Sequence, residues 1–178
     1  MREELRFSNV SIRLGDQHGE PYGLVLDAKK RKESAHGRRR EQGGEFDEVW
    51  CVIDIEAPRP HDSLDEAMRL AHRSGIELAY ANPCFELWLF LHQRDHSGYL
   101  TTESAIAKMR GLECCYTSGK DFDPEHFLGR PQQEAIRRAE LLDKQHEGKS
   151  HPRDRNPWTN IHILVRGLLK QGWVVSIR

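Results

Sequence analysis

A chain of 178 residues is long enough for one domain with a hydrophobic core of its own. Its 27 basic and 28 acidic side chains nearly cancel, which excludes a protein basic throughout and leaves any nucleic-acid contact to a local patch. No apolar run is long enough to span a bilayer, and the opening MREELRFSNVS lacks the apolar core of a signal peptide. Four cysteines without C-x-x-C spacing point to a reducing cytoplasm, with Cys51 and Cys84 as small core residues.

In chain order, Phe7–Leu14 alternates apolar and polar residues as a half-buried strand does, and Gly15–Gly19 turns the chain. Pro21 opens a helix whose stripe is Leu24, Val25 and Ala28. That helix runs into Lys29-Lys30-Arg31-Lys32 and, after a break, Arg38-Arg39-Arg40. This is the one dense basic segment; it suits either a solvated face or loop, or a contact with a phosphate backbone. Val49–Ile53 is an unbroken apolar run that predicts a strand covered on both faces. It ends in Asp54 and Glu56, followed by the breaker Ala57-Pro58-Arg59-Pro60. Ser63 and Glu66 have capping-box spacing, Leu64, Ala67, Met68 and Ala71 share a helical face, and Gly75 closes that helix. Ile76, Leu78 and Tyr80 alternate as the next strand. A strand–helix–strand unit of this kind makes the two strands parallel, so Asp54 and Ala81-Asn82 are expected at one edge of the sheet. Open α/β sheets bind ligands at that edge.

Asn82-Pro83 predicts a helix start, with Asn as cap and Pro in the first position. The segment CFELWLFLH that follows is apolar nearly all round, so the helix should be buried. Glu86 is out of place there: it is either a helix-start acid that reaches solvent or an arginine, or a functional carboxylate. His92 ends the helix about 120° around from Glu86 and suits the last carbonyls. Thr101–Arg110 predicts a short amphipathic helix, Gly111–Arg130 an irregular segment, and Gln132–His146 a helix over Ala135, Ala139 and Leu142. Glu147–Arg155 is a charged connector. Asn156-Pro157 repeats the cap-plus-proline start, ahead of a stripe of Ile161, Leu164, Val165, Leu168 and Leu169. Gly172 ends that helix, and Trp173–Ile177 suits a last strand. Neither an internal repeat nor a linker interrupts residues 1–178, so one domain is expected.

Asp54 and Glu56 offer hard oxygens close together, the donors that Mg²⁺ takes together with waters and substrate phosphates. Histidines and cysteines have no zinc spacing, and neither a P-loop nor a G-x-S-x-G elbow occurs. Spacing alone supports an α/β domain with a divalent-metal site at the strand ends, or, more weakly, a receiver-like phosphoacceptor at Asp54.

Four blocks carry a family resemblance. FDEVWCVIDIE (Phe46–Glu56), IELAYANPCFELWLFLH (Ile76–His92), AIRRAELL (Ala135–Leu142) and NPWTNIHILVRGLL (Asn156–Leu169) together resemble the RloB family, NPCFELW most specifically. The resemblance implies a Toprim-like (Rossmann-type) sheet, mostly parallel, flanked by helices and with a helical C-terminal part. It further implies Mg²⁺- or Mn²⁺-dependent hydrolysis of DNA or RNA phosphodiesters in anti-phage defence, often beside an ATPase partner. By the same resemblance Asp54 and Glu56 match the metal-binding acidic pair, with Glu56 where a second aspartate is usual. Asn82, Glu86 and His92 fall in the NPCFELW block, Glu86 as an auxiliary acid and Asn82 and His92 on the substrate side. Tyr116 and Lys120 match a downstream Tyr/Lys element, Lys120 as a stabiliser of developing negative charge. The family's N-terminal E-G-x-x-T-E glutamate motif has no counterpart before Leu5, so the chain is expected to start after it; Glu3 and Glu4 do not fit it. A degenerate, non-catalytic module that docks on the ATPase or senses a phage component is the alternative.

Overall fold

In a computed structural model of the protein, residues 20–42, 48–112 and 123–170 are described, the side chains of 36–42 excepted. The predicted strands at Phe7–Leu14 and Trp173–Ile177 lie outside the described residues, as do Tyr116 and Lys120.

The first helix, α1 (Pro21–Gln42), starts at proline as predicted, and the carboxylate of Glu20 accepts from the Tyr22 and Gly23 amides at its open end. The expected break before Arg38 is absent: the helix continues to Gln42. Pairs one turn apart, Arg31 with Asp27 at 2.8 Å and Lys29 with Glu33 at 3.6 Å, offset a composition with little apolar content. Strand β1 (Trp50–Asp54), helix α2 (Leu64–Ser74) and strand β2 (Glu77–Asn82) form the expected βαβ unit. The strands pair in parallel with Asp54 opposite Ala81.

Helix α2 buries Leu64, Ala67, Leu70 and Ala71 and closes at Gly75, whose φ of 59° lies in the left-handed region. Helices α1 and α2 run side by side in the same direction. At one end the Ser63 hydroxyl donates to Glu20; at the other Lys32 Nζ donates to the Ser74 and Gly75 carbonyls at 3.0 and 2.6 Å. Ser63 therefore does not close a capping box.

Beyond β2 come α3 (Phe85–Gln93), α4 (Thr102–Arg110), a 3₁₀ turn over Pro124–Phe127, and α5 (Arg130–Gln145). A second 3₁₀ turn (Pro152–Asp154), strand β3 (Trp158–Thr159) and α6 (Ile161–Lys170) complete the order. Strand β3 runs antiparallel to β2, pairing Ala81 with Thr159 and Asn82 with Trp158. Among the described residues the sheet therefore has three strands in the order β1-β2-β3 and is mixed; the mostly parallel sheet expected from the resemblance is corrected. Asn156-Pro157 leads into β3 and not, as predicted, directly into a helix.

Coverage of the strands also differs from expectation. Cys51, Ile53 and Ile55 are buried, but Val52 between them is 41% exposed, so β1 is covered on one face. The strand enclosed on both faces is β2, where Ala79, Tyr80, Ala81 and Asn82 are all buried. Helix α3 is as predicted, buried over Glu86–His92 and held by α5, whose Arg138 donates to the Leu91 carbonyl at 2.6 Å.

Candidate functional site

The carboxyl edge of the parallel pair is where the chain gathers its unusual groups. Asp54 ends β1, and its Oδ1 accepts a hydrogen bond from the Phe85 amide at 2.9 Å. The acid that ends one strand thus caps the helix that follows the other, where a carboxylate also meets the positive end of the helix dipole. One residue on, the Glu56 amide donates to the Pro83 carbonyl at 2.8 Å. Strand β1 and the NPCFELW turn are therefore stitched together by two long-range hydrogen bonds.

Glu86, in the first turn of α3, is 4% exposed. Burial pushes the neighbouring Cys84 thiol well up, and the charge of Glu86, a hydrogen bond with Glu86 and the charge of Asp54 push it further. Asp54 and Glu86 thus act on one thiol from the same sheet edge. That thiol stays protonated, so it offers no soft ligand to compete with the carboxylates.

Glu56 lies at the same edge. Its φ of 67° is left-handed, the one such non-glycine among the described residues. Its Oε2 accepts from the Thr102 hydroxyl at 2.6 Å; that hydroxyl in turn accepts from the Ala57 amide at 3.2 Å. Glu56 ties the start of α4 to the strand end, a contact between residues 46 positions apart that sequence spacing does not signal.

Asn82 is 1% exposed and, contrary to the prediction, does not cap α3. Its Nδ2 donates to the carbonyls of Pro152 at 2.9 Å and Arg153 at 3.4 Å, and its Oδ1 accepts from Asn156 Nδ2 at 2.9 Å. Both amide protons are engaged inside the protein, so Asn82 locks the 152–156 segment to the sheet edge. Asn156 and Asn160 extend the lock. Asn156 bonds the Leu100 backbone, while Asn160 accepts from the Tyr80 amide and donates to the Leu78 carbonyl at 3.0 Å. The repeated Asn-Pro pair was the one sequence signal for this partnership.

His92 lies six residues beyond Glu86, about 9 Å along the helix axis, and away from the edge. Its Nδ1 donates to the Trp88 carbonyl at 2.9 Å, and its ring meets Trp88 and Phe127 edge-on. Burial pulls its pKa down to about 4, so it is a neutral core histidine at pH 7. The structure therefore brings Asp54, Glu86 and the Asn82 turn together, directs the Glu56 carboxylate to Thr102, and leaves His92 apart.

Among the described residues no group of three His, Cys, Asp or Glu side chains is arranged to cage a metal ion. The donor set does suit the ion that needs no such cage. Mg²⁺ takes one or two carboxylates and completes its shell with waters and phosphate oxygens. Asp54 and Glu86 are hard oxygen donors of the kind that ion takes.

Fold and site together define an α/β protein built on a βαβ unit, with carboxylates at the ligand edge of its parallel strands. Within that class the chain belongs to the RloB-like family, whose model matches residues 1–168. Neither the curated proteins nor the solved structures compared with the chain gave a match. No helix among the described residues is long and apolar enough to cross a membrane.

Proposed function

We propose that the protein is a Toprim-like, Mg²⁺- or Mn²⁺-dependent hydrolase of nucleic-acid phosphodiesters, acting in cytoplasmic anti-phage defence beside an ATPase partner. The observation that carries this reading is the hydrogen bond from the Phe85 amide to Asp54, which joins the strand-end acid to the helix that bears Glu86.

Asp54 and Glu86 would hold the ion, with Glu56 ordering α4 behind them. A bound divalent ion supplies charge stabilisation to the attacking and leaving oxygens of the phosphodiester. The protein supplies the placement. Asp54 is fixed by its hydrogen bond to α3, Glu86 by its position in the first turn, and the turn between them by Asn82. Asn82 is thus a positioning residue. Lys120, outside the described residues, keeps its proposed role as a cation for developing negative charge.

The reading is tested by incubating labelled DNA and RNA with wild type, Asp54→Asn and Glu86→Gln, with Mg²⁺ or with EDTA. Metal-dependent cleavage lost in both variants supports it; cleavage that persists in either, or in EDTA, sinks it. A second reading, a non-hydrolytic module that docks on the ATPase, draws on the internal partners of Asp54 and Glu56. It predicts binding of the ATPase with no cleavage by any form.

A further inference from the structure

Helix α2 carries a second feature, on an exposed face. Asp65, Arg69, His72 and Arg73 recur at positions i, i+4, i+7 and i+8, within an arc of about 100°. Arg69, His72 and Arg73 are exposed and, with Met68, line a cavity of about 290 Å³. At the N-terminal end of this stripe Asp65 is already engaged. It accepts from His151 Nε2 at 2.8 Å and from Arg153 at 3.3 Å, and Arg153 also donates to the His61 carbonyl at 2.9 Å. The hydrogen bond from His151 holds the Asp65 carboxyl below its usual range against partial burial, helped by the charges of Arg153, His151 and Arg69. Asp65 is therefore already paired inside the protein, with Glu66 exposed beside it.

This row of cations has a direction. From Arg73 to Asp65 it runs about 12 Å along the helix axis. There Arg153 pairs with Asp65, and its backbone carbonyl accepts from Asn82, one residue past the partner of Asp54. The stripe thus leads from the far end of α2 to the acid-bearing sheet edge.

We infer that the exposed Arg69–His72–Arg73 face of α2 is a track for a nucleic-acid phosphate backbone, leading it towards the edge that holds Asp54. The inference rests on the proposed hydrolysis for its destination, but the binding stands on its own observations. Arg69 and Arg73 lie one helical turn and about 6 Å apart along the axis, and their guanidinium forks fit alternate phosphates of one strand, which recur about every 3.4 Å in a duplex. Basic residues of α1 contribute less: Lys29, Arg31 and Lys32 are engaged with Glu33, Asp27 and the α2 carbonyls.

The test is fluorescence anisotropy with short labelled single- and double-stranded oligonucleotides, in EDTA so that no cleavage intervenes. Wild type, Arg69→Glu/Arg73→Glu and a charge-matched control, Arg94→Glu/Arg110→Glu at the exposed ends of α3 and α4, are titrated over a series of salt concentrations. The double variant should bind about tenfold or more weakly and flatten the salt dependence by roughly 0.7–0.9 per lost cation, while the control follows wild type. Equal affinity and slope in the double variant overturn the track, as does a wild type that prefers polyglutamate to the oligonucleotides. Intact binding by a protein that cleaves nothing rejects the hydrolysis and leaves the track standing. Cleavage by a double variant that also binds as wild type rejects the track alone.

Discussion

Replacing Asp54 separates the structural role of this side chain from the metal-binding role proposed for it. As a structural group, its Oδ1 accepts from the Phe85 amide at 2.9 Å. Asp54→Ala leaves that helix-start donor without its partner, a loss of about 1–2 kcal/mol by the usual cost of removing an N-terminal cap. For a chain of this length, 1 kcal/mol moves Tm by about 2–4 °C, so the alanine variant should melt about 2–8 °C lower. Asp54→Asn keeps an acceptor in the same place and should stay within about 0.5 kcal/mol of wild type. In the proposed role of metal ligand, however, the aspartate is replaced by neither. A ligand at a hundred times its Kd stabilises the folded state by about 2.7 kcal/mol, so saturating Mn²⁺ should raise the Tm of wild type and of neither variant. Differential scanning fluorimetry with and without Mn²⁺ reads both effects. If asparagine destabilises as much as alanine, or if it keeps the metal-induced shift, the division of roles is refuted.

Three further outcomes follow from the packing. Leu87→Ala, at a position that is 0% exposed, should cost about 2–5 kcal/mol in urea unfolding; a loss under 1 kcal/mol would contradict its burial against the sheet. Asn82→Ala and Asn156→Ala should be non-additive, with a coupling of at least about 0.5 kcal/mol in a double-mutant cycle, because each removes the other's partner. His92 gives a pH dependence. Its pKa is about 4 folded, against an ordinary value of 6.5, so between these values the unfolded chain binds the extra proton. Its contribution is complete above about pH 6.5 and is lost as pH falls towards 4, by up to about 3 kcal/mol; a phenylalanine at position 92 should flatten that slope in acid unfolding.

The βαβ unit was legible because it is written locally. An apolar run, a capped amphipathic helix and an alternating strand follow one another within some thirty residues, and chirality then makes the strands parallel. Asp54 and Glu86 were legible for a related reason, as acids where apolar neighbours make an acid conspicuous. The errors came from polar side chains with distant partners. Asn82 has the sequence of a helix cap, yet bonds residues 70 to 74 positions away, while the cap comes from Asp54. Ser63 likewise bonds Glu20, across the α1–α2 contact, and not the start of its own helix. Strand β3 is two residues long and has no periodicity to detect. Glu56 was placed at the right edge, but its hydrogen bond with Thr102, 46 positions away, has no signal in the sequence.

The central claim is that Asp54 and Glu86 share one divalent cation at the sheet edge. Isothermal titration of Mn²⁺ into wild type, Asp54→Asn and Glu86→Gln addresses it most directly, with each variant shown to be folded by its near-UV circular dichroism. One site in wild type that is lost or strongly weakened in both variants is the predicted result. Wild-type-like Mn²⁺ binding in either folded variant, or none in the wild type, would contradict it.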